Sequence, residues 1–160
     1  MKKHIYLLIM SLIALNSCSD DIVNTEIPEN ALIKPILYLS GTCNFSTINT
    51  DEISIQSIHI VNDILIIDAS YSGGCDIHST ALFSRTGFLE SYPVQLSMKL
   101  IHHSYSDTCS NVISERFYFD LKSVATMYTL AYRENNGVVL LNIFDSDSTN
   151  YYLPQQRYEF

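Results

Sequence analysis

Apolar and polar positions alternate most regularly between Pro93 and His103. Val94, Leu96, Met98, Leu100 and His102 share one phase; Gln95, Ser97, Lys99, Ile101 and His103 share the other. A period of two is what a half-buried strand requires. Val112 to Leu121 repeats the pattern, with Phe117, Phe119 and Leu121 opposite Arg116, Tyr118 and Asp120. Two β-branched runs, Glu52 to Val61 and Ile64 to Tyr71, flank Asn62-Asp63 and predict a hairpin. In the second run Ile64 and Ile66 are apolar, as are Leu65, Ile67, Ala69 and Tyr71, so this strand is expected to be covered on both faces. Ser72-Gly73-Gly74 ends it. Ile33 to Leu39 and Ile77 to Ser84 read as further strands, and Arg85 to Tyr92 as a loop. Lys122 to Tyr128 reads as a helical turn or a loop. Met127 to Arg133 and Val138 to Phe144 flank Glu134-Asn135-Asn136-Gly137, whose Asn-Gly predicts another hairpin. About 7–8 short, mainly antiparallel strands, with turns at intervals of roughly 8–12 residues, make an all-β chain: a single β-sandwich or partly open barrel.

The N-terminal pattern is different. Lys2, Lys3 and His4 precede an almost unbroken apolar run, Ile5 to Leu15. About 11 residues cover about 16 Å as a helix, against about 30 Å of bilayer hydrocarbon. The run therefore reads as the core of a secretory signal peptide and not as a membrane span. Leu15-Asn16-Ser17-Cys18 resembles the lipobox of bacterial lipoproteins, with Asn16 a departure from the usual small residue. That resemblance implies cleavage before Cys18 and a lipid chain on Cys18, anchoring the protein to a membrane. Ser19-Asp20-Asp21 resembles the surface-export signal of Bacteroidota lipoproteins, which implies an outer-membrane anchor facing the cell exterior. The expected organisation is a signal peptide over 1–17, a flexible tether over 18–31 and a β domain over 32–160.

Composition narrows the partners. Against 9 Lys+Arg stand 17 Asp+Glu, a formal charge of −8, and losing Lys2 and Lys3 with the leader makes the remainder more acidic. No basic run follows Lys3, so nothing displaces counterions from phosphates, and a nucleic-acid ligand is excluded. There are 11 Tyr and no Trp. Tyr105, Tyr128, Tyr132, Tyr151, Tyr152 and Tyr158 are candidates for amphipathic contacts with a protein or glycan ligand.

Chemistry is carried chiefly by Cys and His. Behind Cys18 lie Cys43, Cys75 and Cys109. In an oxidising compartment three cysteines allow one bridge and one leftover. Cys75–Cys109 is the favoured pair because each bounds a loop beside a strong strand, and Gly73-Gly74 frees the backbone next to Cys75. Two alternatives stay open: a pairing of Cys43, or a tetrahedral zinc site from Cys75, His78, His102 and Cys109, which would be structural or, with an open position, enzymatic. His102 is in phase with an apolar face and reads as a packed core residue, whereas His78 reads as loop surface. No Gly-x-Ser-x-Gly, phosphate loop or His-Glu-x-x-His is present. No catalytic residue and no cofactor is assigned.

The segments Ser72-Gly73-Gly74-Cys75-Asp76-Ile77-His78, Pro93-Val94-Gln95-Leu96, Leu100-Ile101-His102, Asp107-Thr108-Cys109 and Phe119-Asp120-Leu121 resemble uncharacterised lipoproteins of the Bacteroidota. The resemblance covers about residues 65–121. It implies that Cys75 and Cys109 act as a unit, and it supplies no activity. The expectation is a membrane-anchored, exported β domain of the cell envelope, binding or structural in role, with the zinc domain as the alternative.

Overall fold

The computed structural model describes residues 26–39 and 44–160. The expected leader, Cys18, most of the tether and Cys43 lie outside the described residues. Within them the chain forms β1 (Ile33–Pro35), β2 (Leu37–Leu39), a single 3-10 turn at Phe45–Thr47, β3 (Ser54–Val61), β4 (Ile64–Gly73), β5 (Ser79–Arg85), β6 (Val94–His103), β7 (Asn111–Asp120), α1 (Lys122–Tyr132), β8 (Val138–Phe144) and β9 (Gln156–Glu159). One sheet has the order β1-β7-β4-β3 and the other β2-β5-β6-β8-β9.

The two sheets share one hydrophobic core. Ile55, Ile58, Leu65, Ile67, Ala69, Phe117 and Phe119 come from the first sheet; Leu82, Leu96, Met98, Leu100, Val139, Leu141 and Ile143 come from the second. The period-two faces of β6 and β7 thus meet across a sandwich, as inward residues of packed sheets do. The β3–β4 hairpin forms around Asn62-Asp63, with Val61 opposite Ile64. Ile64 to Gly73 is flanked on both sides, by β3 and β7, and Leu65, Ile66 and Ile67 are all buried, in keeping with a strand apolar on both faces.

The pairing is more mixed than the alternation predicts. The run Ile33 to Leu39 is two strands rather than one. β1 pairs in parallel with β7, and β2 pairs in parallel with β5 in the other sheet. The chain crosses between sheets at the buried Ile36. β6 and β8 are also parallel. Non-local parallel pairs leave no turn signature in the sequence.

Three expectations need correction. Lys122 to Tyr132 is one continuous helix, not a turn followed by a strand. Gly137 does not close a tight hairpin: its N–H donates to the Phe160 carbonyl at 3.1 Å, and the Phe160 N–H donates back at 3.3 Å. A Cβ there would lie 2.6 Å from the Tyr128 ring, so any other residue obliges that ring to shift. Tyr158 is no contact residue. It is fully buried, and its hydroxyl donates to Asp63 Oδ1 at 2.8 Å.

Candidate functional site

At one end of the sandwich the antiparallel β4–β7 ladder closes with Gly73 opposite Asn111. Continuing that register by two residues on each strand brings Cys75 opposite Cys109. The two are joined by a disulfide, with Cα atoms 5.8 Å apart, inside the range such a bond needs. Asp107, next to the bridge, is the hub of the surrounding loops. Its Oδ2 accepts the N–H groups of Gly74, Cys75 and Asp76 at 2.8, 2.9 and 3.1 Å. Its Oδ1 accepts the Cys109 N–H at 2.8 Å. Gly74, at φ +107, adopts the left-handed backbone that lets three successive N–H groups converge on one oxygen.

From this carboxylate a hydrogen-bonded line runs inward. His78 Nε2 lies 3.0 Å from Asp107 Oδ2, and His78 Nδ1 lies 2.8 Å from His102 Nε2. An ionised carboxylate only accepts, so Nε2 of His78 carries a proton, and a single proton occupies the bond between the two rings. Tyr71, from the opposite sheet, packs against both imidazoles, with ring centroids 4.8 and 4.3 Å away. Its hydroxyl donates to Glu115 Oε2 at 2.7 Å. Burial, then that bond, push the Tyr71 phenol up to about 12. A Cβ at Gly73 would collide with the His78 ring, so glycine at 73 is what lets the imidazole close over the strand.

Cys75, His78, His102 and Cys109 therefore do lie at one place, but joined pairwise. Each sulfur is bonded to the other, so neither is a thiolate. The two imidazoles bond to each other and to Asp107. His78 is not loop surface: its side chain is 7% exposed, and that of Asp107 is 0% exposed. His102 is 1% exposed. An Asp–His–His relay is chemically capable of moving a proton, yet this one ends at His102 Nδ1, which is buried without a well-formed hydrogen bond. No hydroxyl or thiol continues it among the described residues. The geometry is that of a clasp holding the loops of two sheets together. Asp107 is the member that residue-type reasoning missed. The available signal was its place two residues before Cys109, where an Asp side chain commonly caps the backbone.

The clasp titrates. Its bonds to His78 and then to backbone N–H groups hold the Asp107 carboxyl far below the usual range. Desolvation, then the neighbouring His78, lowers His102. Both groups release protons more readily folded than unfolded. Their stabilisation is complete above the unfolded-state values, about 6.5 for His and about 3.9 for Asp, and is lost as pH falls through the folded ones. Denaturant midpoints should therefore drop in acid, beginning below about pH 6.5 and steepening below about pH 4. Asp107→Asn should lower stability at neutral pH and flatten the steeper limb; an unaltered acid limb in that variant would contradict the assignment.

A second feature lies at the other end of β6, about 30 Å away at about 3.3 Å per residue. There the starts of β6 and β8, the end of β9 and one face of α1 enclose a cleft of about 660 Å³. Tyr128 and Phe160 form an aromatic wall with centroids 5.4 Å apart, continued by Tyr132 and Phe88. Glu134, Asn136 and Arg157 supply polar groups, and Tyr92 stands at the rim with its surface 100% exposed. Arg157 pairs with Glu159. Of the six tyrosines singled out as contact residues, Tyr128 is here and Tyr132 adjoins it. Tyr105 is at the clasp end, where its hydroxyl meets Ser79 Oγ at 3.0 Å, while Tyr151 and Tyr152 pack in the segment before β9.

Neither a protein-family description nor a curated protein matches the chain in sequence. Solved structures match in fold. A NigD-like immunity protein from Bacteroides caccae is 13% identical, with a TM-score of 0.53 over 81% of this chain and 59% of that one. A protein described as toxin-related from Parabacteroides distasonis is 21% identical, with a TM-score of 0.47 over 80% of this chain and 60% of that one. A protein described as a lipoprotein from Bacteroides fragilis is 10% identical, with a TM-score of 0.48 over 80% and 68%. The chain thus spans about three-fifths of the length of the first two. At these identities the shared property is the sandwich, as seen in the immunity protein.

Proposed function

We propose that the chain is a lipid-anchored, exported, non-catalytic domain that binds a protein partner through the cleft of Tyr92, Tyr128, Glu134, Asn136, Arg157 and Phe160. The observation that carries this reading is the cleft itself: an open concavity of about 660 Å³ whose wall is aromatic and whose rim holds Arg157 and the fully exposed Tyr92. Tyr and Arg are the residues that most often dominate protein–protein contacts. The other chemically rich site, the clasp, has its polar groups bonded to one another and to the backbone. A NigD-like immunity protein has the same fold, and a binding role suits that scaffold. Anchoring rests on Leu15-Asn16-Ser17-Cys18, and outward display on the acids behind it.

Two experiments test the parts separately. Cys18→Ala should move the protein from the membrane to the soluble fraction or leave it unprocessed, and should abolish incorporation of labelled palmitate; labelling as strong as in the wild type refutes the anchor. For the cleft, a photo-crosslinking residue in place of Tyr92 should give one discrete protein adduct in intact cells, while the same residue in place of Tyr105 should not. A broad smear removed by glycosidases would identify a glycan instead. Equal adducts from both positions, or none, would reject the cleft as the binding site.

A further inference from the structure

Lys99 occupies an outward phase of β6 and so should be solvated, yet it is 2% exposed. The segment from Phe45 to Thr50 and the loop after β8 cover it. Its ammonium group donates to the Phe45 carbonyl at 3.1 Å and to Ser148 Oγ at 2.7 Å. An ammonium has three donors, so one N–H remains without an acceptor among the described residues. No carboxylate forms an ion pair with it among the described residues. A buried cation with a free donor and no contacting counter-ion is costly unless something supplies the missing acceptor.

Beside it is an open pocket of about 380 Å³ that Lys99 lines together with Ser46, Asn49, Ser146 and Ser148. This lining offers donors. Ser148 accepts from Lys99 and keeps its own proton free. The Ser46 hydroxyl and the Asn49 amide make no side-chain hydrogen bond to the protein among the described residues, while the Ser146 hydroxyl is committed to the Ile53 carbonyl at 3.0 Å. Asp145 and Asp147 act on Lys99 only at longer range, opposing the desolvation that lowers its proton affinity. Their oxygens are turned to their own loop: Asp145 Oδ1 accepts the Asp147 N–H at 2.9 Å, and Asp147 Oδ1 accepts the Thr149 N–H at 2.9 Å. They help keep Lys99 charged without occupying its free donor.

From this geometry we infer that the Lys99 pocket is a binding site for a singly charged oxyanion, a carboxylate. One cation and a fringe of hydroxyl and amide donors match two carboxylate oxygens. The two acids nearby repel a second negative charge, which disfavours phosphate dianion. The site is separate from the aromatic cleft and does not depend on it.

The test is a titration of the detergent-solubilised full chain with sodium acetate, followed by amide NMR shifts at constant ionic strength set with sodium chloride. Saturable shifts confined to residues 46–50, 99 and 146–148 are expected. Inorganic phosphate at pH 8 should bind more weakly than acetate. Lys99→Met, which keeps the aliphatic stem, should weaken acetate binding about tenfold or more, the scale of one charge-assisted hydrogen bond. Ser148→Ala, which keeps the lysine, should weaken it less and serves if the methionine variant does not fold. Unsaturable or dispersed shifts, binding untouched by both substitutions, or phosphate binding tighter than acetate would each overturn the assignment.

Discussion

Replacing either Cys75 or Cys109 with Ser should lower the stability of the folded protein by about 3–4 kcal/mol, the chain-entropy value for a loop of this length. The two cysteines are 34 residues apart, and the chain between them includes all of β5 and β6, the centre of the second sheet. The bond therefore ties the end of the β4–β7 ladder in one sheet to the excursion that builds the other. Opening it restores to the unfolded chain the freedom of that whole excursion. Either single substitution should cost about the same, and the double substitution little more, since each removes the same bond. Urea unfolding of the oxidised and reduced wild type should reproduce the difference. Single variants as stable as the oxidised parent would mean the bridge carries no stability. The two serine variants should also couple to Asp107→Asn with non-additive losses, because the carboxylate grips the Cys75 and Cys109 backbones directly.

Phe119→Ala should cost about 3–5 kcal/mol, the range for truncating a buried phenylalanine. Phe119 is completely buried. It sits on β7 between two neighbours, paired with Leu65 of β4 on one side and with Lys34 of β1 on the other. Its ring belongs to the cluster shared by both sheets, so removing it leaves a cavity that neither sheet can collapse without losing register. Phe119→Leu, which refills most of the volume, should recover much of the loss. A cost below about 1 kcal/mol for the alanine variant would show that the sheets do not pack as described. Tyr92→Ala is the matched control: a fully exposed side chain should change stability by no more than about 0.5 kcal/mol.

Local signals were legible and tertiary ones were not. The β3–β4 hairpin was readable because Asn62, at φ 54, takes the left-handed conformation that Asn tolerates at a turn. The faces of β6 and β7 were readable because one side of each meets a single core. Helix α1 was misread for equally physical reasons. Its N-cap is Leu121, whose side chain cannot cap, so the Lys122 N–H goes to Asp120 Oδ1 instead; it has no acid in its first turn and no base in its last, and ends on Arg133 in place of a glycine. Its Val, Thr and Tyr content favours strands, and packing of Val124 into the core overrides that preference. Lys99 is in the phase opposite the apolar face of β6, and the segments that cover it, around Phe45 and Ser148, are distant in sequence. His78 was misplaced on the surface because its environment is made by His102, Asp107 and Tyr71, none of them a local neighbour. The aromatic cleft was visible only as a surplus of tyrosines; which of them gather depends on the parallel β6–β8 pairing and on α1, the features with the weakest sequence signal.

Binding at the aromatic cleft, as proposed, and a bracing role for the histidine clasp can be separated in one experiment. The most direct test uses the adduct formed in intact cells by a chain carrying a crosslinking residue in place of Asn136, inside the cleft, combined with one further substitution at a time. Tyr92→Ala with Arg157→Ala alters only exposed cleft side chains, whereas His78→Gln alters the clasp. The cleft pair should abolish the adduct with stability changed by no more than about 1 kcal/mol, and His78→Gln should lower stability yet keep the adduct in the fraction that remains folded. Loss of the adduct in folded His78→Gln protein, with full yield from the cleft pair, would contradict both assignments.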